Sequence, residues 1–231
     1  MRNLFTIIVL SLLLPLFATS QEEFKAPNYD NIKKMAEDPQ SDKFYPKLML
    51  KYQNNDTSIS GTEMQVLYYG VFFHEKKYLN LFATDVYRDS INAIYKHDSI
   101  SYNDKINLIK YYQLTHAKSP FNLKTINTLY NLYTDLNDPA AVYYDYKMKM
   151  IAYTIYSTGD GKTTKSGFHV NSIDDEYTML SLLGFNFGGT QSLIERCDYL
   201  KVADNKSNVK GIYFDVSKIL EAEAALFTPK K

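Results

Sequence analysis

The sequence predicts an α+β fold that is mainly helical and ends in a small antiparallel sheet of β-α-β-β-α order. Two observations carry this prediction. Between about residues 29 and 156, apolar side chains recur at the three- and four-residue spacing of amphipathic helices. Beyond them the pattern changes to strand-like alternation, as at Phe168 and Val170. We therefore expect a helical region over residues 21–158 and a smaller α+β region over residues 159–231, packed together as one compact unit.

Residues 1–20 have the three parts of a signal peptide. Arg2 supplies the positive charge, residues 4–14 form an almost unbroken apolar run, and small residues at 18–20 precede a cleavage site before Gln21. The apolar run is shorter than the roughly 20 residues of a membrane-spanning helix, which disfavours a retained anchor. We expect an exported protein, periplasmic or secreted, with no stable membrane span after signal cleavage.

The composition narrows the classes of partner. The 26 basic and 26 acidic residues balance, so the chain lacks the basic surface that nucleic acid or anionic lipid requires. We therefore expect no nucleic-acid partner. The single cysteine, Cys197, cannot form an internal disulfide, and a buried thiol is its simplest interpretation. Most of the 21 tyrosines fall inside helical patterns, where we assign them first to the core and to helix contacts.

Capping residues mark the predicted helix starts. Ser60 and Glu63 have the spacing of a capping box, and Ser101 begins another helix in the same way. Ser119 and Asp138, each followed by proline, are predicted to begin two more helices. Helix pairs of roughly 34 residues favour antiparallel, tetratricopeptide-like packing. Because the sequence signature of that repeat is missing, an irregular helical bundle is an equal alternative.

The last third of the chain carries the elements of the predicted sheet. Alternating apolar residues indicate strands, polar clusters indicate turns, and Gly184 indicates the end of a helix. In chain order we predict a strand near 168–170, a helix over 172–183, a strand over 193–203, a polar hairpin loop at 204–208, a strand over 209–216 and a helix over 217–227.

The segment 156–170 contains Gly-Lys-Thr, the ending of a phosphate-binding loop. Such a loop requires another glycine five residues before Gly161, where this chain has Tyr156. A calcium loop requires several oxygen ligands, and Asp160 stands nearly alone. A helix C-cap at Gly159, followed by an Asp-Gly turn, explains the segment without a ligand.

No cofactor or metal site is predicted. The histidines are scattered, and the His74-Glu75 pair lacks the second histidine of a zinc-protease helix. The residues that stay as possible binding residues lie near the joint between helices and sheet. They are Gly159, Asp160, Gly161, His169 and Glu176.

Two patterns allow an enzymatic alternative. The acidic run from Asp174 to Glu176 offers paired carboxylates for acid–base chemistry, although acidic residues also favour a helix N-terminus. Cys197 and His169 could form a nucleophile pair, although an inert buried cysteine is the simpler explanation. The alternative is therefore a hydrolase with a pocket near the 159–176 loop and the sheet. This alternative requires the side chains of His169, Asp174, Glu176 and Cys197 to converge on one pocket.

Four short motifs in the last third of the chain are distinctive: Gly159-Asp160-Gly161, Phe168-x-Val170, Glu176-Tyr177 and Phe214-Asp215-Val216. With these motifs the chain resembles the exported Bacteroidota family known as domain of unknown function 4919. The resemblance covers most of the mature chain, and it implies an exported bacterial protein without bringing any catalytic residue.

The functional expectation follows from capped amphipathic helices without a catalytic constellation. We expect a non-enzymatic module that binds a protein or peptide through an exposed, tyrosine-rich groove along its helices. Carbohydrate binding is a third class, which the absence of tryptophan mildly weakens.

Overall fold

The computed structural model of the chain describes residues 24–74 and 87–227. The predicted signal peptide, residues 1–20, lies outside the described residues. The fold is α+β and mainly helical, as predicted. None of the helices in the described ranges has the length and apolar character needed to cross a bilayer.

Seven helices form the helical part of the described residues. In chain order they are α1 (Tyr29–Glu37), α2 (Tyr45–Gln53), α3 (Gly61–Gly70), α4 (Arg88–Tyr95), α5 (Tyr102–Lys118), α6 (Leu123–Asp135) and α7 (Ala141–Tyr156).

The predicted capping boxes are confirmed. Before α3, the Ser60 hydroxyl accepts a hydrogen bond from the Glu63 amide (3.3 Å), and the Glu63 carboxylate accepts one from the Ser60 amide (2.8 Å). Ser101 and Asp104 form the same reciprocal pair before α5. Each box satisfies amides that a helix N-terminus otherwise leaves unpaired, so the boxes fix where these two helices begin.

Two helices begin later than predicted, because a side chain downstream of the predicted start, or at it, accepts a hydrogen bond from a backbone amide. α6 does not start after Ser119, since the Asn122 side chain accepts the Thr125 amide (2.8 Å) and caps the helix there. α7 does not start directly after Asp138, since the Asp138 carboxylate accepts the Ala140 amide (2.8 Å) and holds a turn. In the first case the polar side chain is the N-cap of the helix, and in the second it competes with the helix for a backbone donor.

The helices form the irregular bundle rather than a tetratricopeptide-like stack. α1 packs on α3, α3 packs on α7, and α5, α6 and α7 pack in sequence. The contact between α3 and α7 joins helices that are not neighbours along the chain, whereas each unit of a repeat stack contacts only its neighbours. The Tyr146 hydroxyl, which donates to the Ile59 carbonyl (2.5 Å), reinforces this contact.

The C-terminal elements form a four-stranded sheet with two helices. In chain order they are β1 (Phe168–His169), α8 (Ile173–Leu182), β2 (Phe187–Ile194), β3 (Cys197–Val202), β4 (Gly211–Asp215) and α9 (Ser217–Phe227). The spatial order of the strands is β1-β4-β3-β2.

The predicted sheet is wrong in two respects. The strand expected over 193–203 is a hairpin that turns at Glu195, whose φ of 59° reverses the chain, so the order is β-α-β-β-β-α. The prediction missed β2 because Gly188 and Gly189 weaken its strand pattern. The sheet is also mixed rather than antiparallel, because β1 pairs in parallel with β4. Such a pairing needs a long crossover, so no local pattern reveals it.

A single apolar core runs through both parts of the chain. Ile151 and Ile155 of α7 belong to the same buried cluster as Phe168, Leu200 and Phe214 of the sheet. A smaller cluster fills the space between α4, α5 and α6. The long helix α7 thus covers part of the sheet, and the helical bundle and the sheet bury one another.

Candidate functional site

The glycine loop after α7 is a closed turn. The Asp160 carboxylate accepts from the Lys162 amide (3.0 Å) and the Ser166 hydroxyl (2.6 Å). The Ser166 carbonyl in turn accepts from the amides of Asp160 (3.0 Å) and Gly161 (2.8 Å). In a phosphate-binding loop these two amides would have to face the phosphate. Here both donate to the Ser166 carbonyl, so they are not available to bind one.

Gly159 and Gly161 of this loop are required by close packing. A Cβ on Gly159 would lie 2.2 Å from the Ser166 carbonyl oxygen. Gly161 has a φ of +67°, and a Cβ there would lie 2.6 Å from the Phe168 ring and 2.8 Å from Ile212. The Gly161 carbonyl accepts the Tyr213 amide (2.8 Å), which fastens the loop to β4.

His169 lies in an aromatic setting between sheet and helices. Its Nδ1 is 3.3 Å from the Tyr29 hydroxyl and 3.7 Å from the Asp215 carboxylate. Burial lowers the pKa of His169, and the negative charge of Asp215 opposes this shift. The histidine therefore serves as a hydrogen-bond partner inside the fold.

Glu176 is fully buried and belongs to a polar cluster on the inner side of β2. Its Oε2 is 3.4 Å from the Gln191 amide nitrogen, which also donates to Asp198 (2.7 Å). The Tyr177 hydroxyl donates to the Gln191 amide oxygen. Burial first, and then the neighbouring Asp198, raise the pKa of Glu176 to about 10. Glu176 is therefore protonated at neutral pH beside Asp198. Its Oε1 is buried without a hydrogen-bond partner among the described residues.

The four side chains required by the hydrolase alternative do not meet at one point, although His169 and Cys197 both lie opposite Asp215 in the sheet register. Asp174 lies at the surface, 3.4 Å from the Lys124 ammonium. The Cys197 thiol contacts the Thr164 carbonyl (3.4 Å), and burial raises its pKa to about 11, so it is not a reactive thiolate. His169 and Glu176 have the separate partners given above. This geometry gives the enzymatic alternative no support.

A cavity that the sequence did not indicate opens on the outer face of the sheet. It has a volume of about 460 Å³ and lies between the strand ends and the 204–208 loop. The polar residues that line it include Thr190, Ser192, Tyr199, Lys201, Asp204 and Lys210. Sequence reasoning treated the loop only as a turn, because the strand that completes the cavity, β2, was not recognised.

β2 is the edge of the sheet next to this cavity. Its eight residues include no charged residue and no proline. Three of its large apolar side chains are exposed, Phe187 at 39%, Leu193 at 56% and Ile194 at 38%. Within the described chain, no backbone hydrogen bond reaches its outer side. β2 therefore presents unpaired backbone groups beside apolar side chains.

The described residues contain no group of three histidine, cysteine, aspartate or glutamate side chains that could hold a metal ion.

Replacing Gly161 tests the packing of the glycine loop. Gly161→Ala is expected to lower the free energy of unfolding by about 3 kcal/mol, because a left-handed backbone and overpacking against Phe168 add together. Gly184→Ala is the matched control, since its φ is +83° but nothing lies within 4 Å. It should cost only about 1 kcal/mol in urea unfolding. Equal losses in the two variants would contradict the packing of the loop.

Replacing Glu176 tests its protonation. The folded state keeps a proton from the ordinary pKa of 4.5 up to about 10, whereas the unfolded chain releases it, so stability falls as pH rises through this window. Glu176→Gln mimics the protonated acid and should make the decline between pH 5 and 9 shallower, by up to about 1.4 kcal/mol per pH unit. Urea unfolding at several pH values measures this, with the exposed Glu37→Gln as control. A decline identical to that of the parent would show that Glu176 is ionised.

Comparison with known proteins places the chain in one family. No curated protein and no solved structure matches it. The family model described as domain of unknown function (DUF4919) matches residues 30–225, which is most of the chain and includes the glycine loop, the Glu176 cluster and the whole sheet. The chain belongs to the DUF4919 family.

Proposed function

We propose that this protein is a non-enzymatic binding module that captures an extended segment of a partner protein as an additional strand beside β2. The observation that carries the proposal is the unpaired, uncharged edge of β2. Extended peptides bind exposed sheet edges through main-chain hydrogen bonds, and side-chain pockets next to the edge add specificity.

The second half of β2 is the part suited to pairing. The register of β2 against β3 shifts between Phe187 and Gln191, and it is regular from Gln191 to Ile194. A bulge protects an edge from unwanted pairing, so the irregular first half is the protected part. Covering the half-exposed Leu193 side chain completely would contribute about 1 to 1.5 kcal/mol, roughly half of the value for a fully exposed leucine.

The occupant is a segment of another protein rather than a second copy of this chain. Lys201 and Lys210, in the adjoining cavity, form no ion pair with a described residue. A second copy would place its own β2 at this edge, and that strand has no carboxylate to offer them. A partner with acidic side chains complements the charge of the cavity.

The helical surface supports binding less well than the sheet edge. Four tyrosines of the helices are fully buried: Tyr45, Tyr52, Tyr68 and Tyr69. Exposed tyrosines lie at Tyr95, Tyr102, Tyr143 and Tyr153, spread over α4, α5 and α7. We therefore locate the binding site at β2 instead of in a tyrosine groove.

Peptide selection tests this function. A random-peptide library displayed on phage and panned against the folded protein should yield peptides that bind saturably in fluorescence anisotropy. Leu193→Lys places a charge at the edge and should weaken these peptides by about tenfold, or about 1.4 kcal/mol. N-methylation of alternate peptide amides should abolish binding, because it removes main-chain donors.

The matched control is Leu50→Lys, which adds the same charge at another leucine, 60% exposed, on α2. It should leave peptide affinity unchanged. A library that yields no peptide sensitive to Leu193→Lys would overturn the proposal. So would a concentration-dependent dimer that Leu193→Lys abolishes, since the occupant would then be a second copy.

We also propose that the protein acts outside the cytoplasm, because residues 1–20 have the composition of a signal peptide. Expressed with its native N-terminus in a bacterial host, the protein should appear in the periplasm or medium. N-terminal sequencing should begin at Gln21. An uncleaved chain in the cytoplasm would contradict export while leaving the binding proposal intact.

A further inference from the structure

We infer that the segment bound beside β2 carries a carboxylate side chain, and that this carboxylate enters the cavity on the outer face of the sheet. The inference rests on the proposed function and assigns the chemistry of its ligand. It is carried by the positions of the lysines, the hydroxyls and one tyrosine relative to the edge strand.

The register places three of the cavity side chains, Ser192, Tyr199 and Lys201, on one face. Ser192 of β2 lies directly opposite Tyr199 of β3, so the two side chains point to the same side of the sheet. Lys201 follows Tyr199 by two residues and shares that face. The cavity therefore begins at the edge strand β2 and extends across the outer face of the sheet toward β3.

The distance across the face suits a pair of long side chains. An added strand would lie one strand spacing from β2 and two spacings, about 10 Å, from the backbone of β3. A lysine reaching out from β3 and a glutamate reaching in from the added strand can together span this gap. Thr190 and Ser192 hydroxyls lie between them as hydrogen-bond donors.

The charges of the cavity favour an anion. Lys201 and Lys210 line it with Asp204, which leaves two positive charges against one negative charge. All three side chains are exposed, and neither lysine is held by an ion pair in the described chain. An acidic side chain could therefore form an ion pair with either lysine, and no existing ion pair would have to be broken.

Tyr199 gives the cavity a fixed wall. Its ring lies on Gly211, where a Cβ would be only 2.1 Å from Tyr199 Cζ and 2.3 Å from its hydroxyl oxygen. The ring also packs on Tyr213, with centroids 4.8 Å apart. Lys201 pairs in register with the same Gly211, so no side chain on β4 fills the space beside its stem. The absence of a side chain at Gly211 thus leaves room for the Tyr199 ring, which forms the wall of the cavity.

A double-mutant cycle tests the inference. The strongest acidic peptide from the phage library is compared with its amide form, in which glutamate becomes glutamine or aspartate becomes asparagine. The protein is compared with the Lys201→Met/Lys210→Met variant. Each change alone should weaken binding by about threefold to tenfold, and the two together should cost no more than one alone. Affinity for the acidic form should fall with added salt.

Lys206→Met is the control, because Lys206 belongs to the 204–208 loop beside the cavity but does not line the cavity. It should leave affinity unchanged. Selected peptides without acidic residues, or additive losses in the cycle, would overturn the inference while the edge-strand function stands. A library that yields no edge-dependent peptide would overturn the proposed function itself, so the two failures are distinguishable.

Discussion

The buried carboxylate of Asp175 joins the two parts of the fold, and the position of the sheet depends on it. It accepts the Leu123 amide at the start of α6 (2.8 Å) and the Tyr68 hydroxyl of α3 (2.6 Å). The same hydroxyl accepts the Asn171 amide just after β1 (3.0 Å). Burial raises the pKa of Asp175 to about 7, and its hydrogen bonds oppose the shift. Leaving either buried donor unpaired costs about 1 to 3 kcal/mol, so α8 cannot shift freely against the bundle.

Fixing α8 also fixes the inner side of the edge strand. The residue after Asp175 is Glu176. The side-chain amide of Gln191 on β2 donates to both Glu176 and Asp198. Tyr177 adds a hydroxyl contact to Gln191 and an edge-on ring contact to Phe187 (centroids 5.1 Å apart). β2 is thus held from within by buried polar groups while its outer edge stays unpaired. A strand held in this way is pre-organised for pairing, which lowers the ordering cost of capturing a partner.

Local chemistry explains which elements could be predicted from the sequence. The box formed by Ser60 and Glu63 and the turn at Gly161 depend on neighbouring residues, and both are present. The predicted C-cap at Gly159 is wrong, because α7 ends at Tyr156 and its C-cap is Ser157. The edge strand β2 was missed because two glycines interrupt it and its exposed face has no strict alternation. The candidate site was missed with it, since the cavity exists only where Ser192 and Tyr199 meet across strands. Glu176 was singled out by residue type, but its position beside Gln191 and Asp198 arises from tertiary packing alone.

Hydrogen–deuterium exchange of the protein with and without an edge-dependent peptide tests the central claim most directly, because it reports which backbone amides become protected. We predict added protection over residues 187–194 and little change along α4, α5 and α7. Protection of those helices with no change at β2 would contradict it.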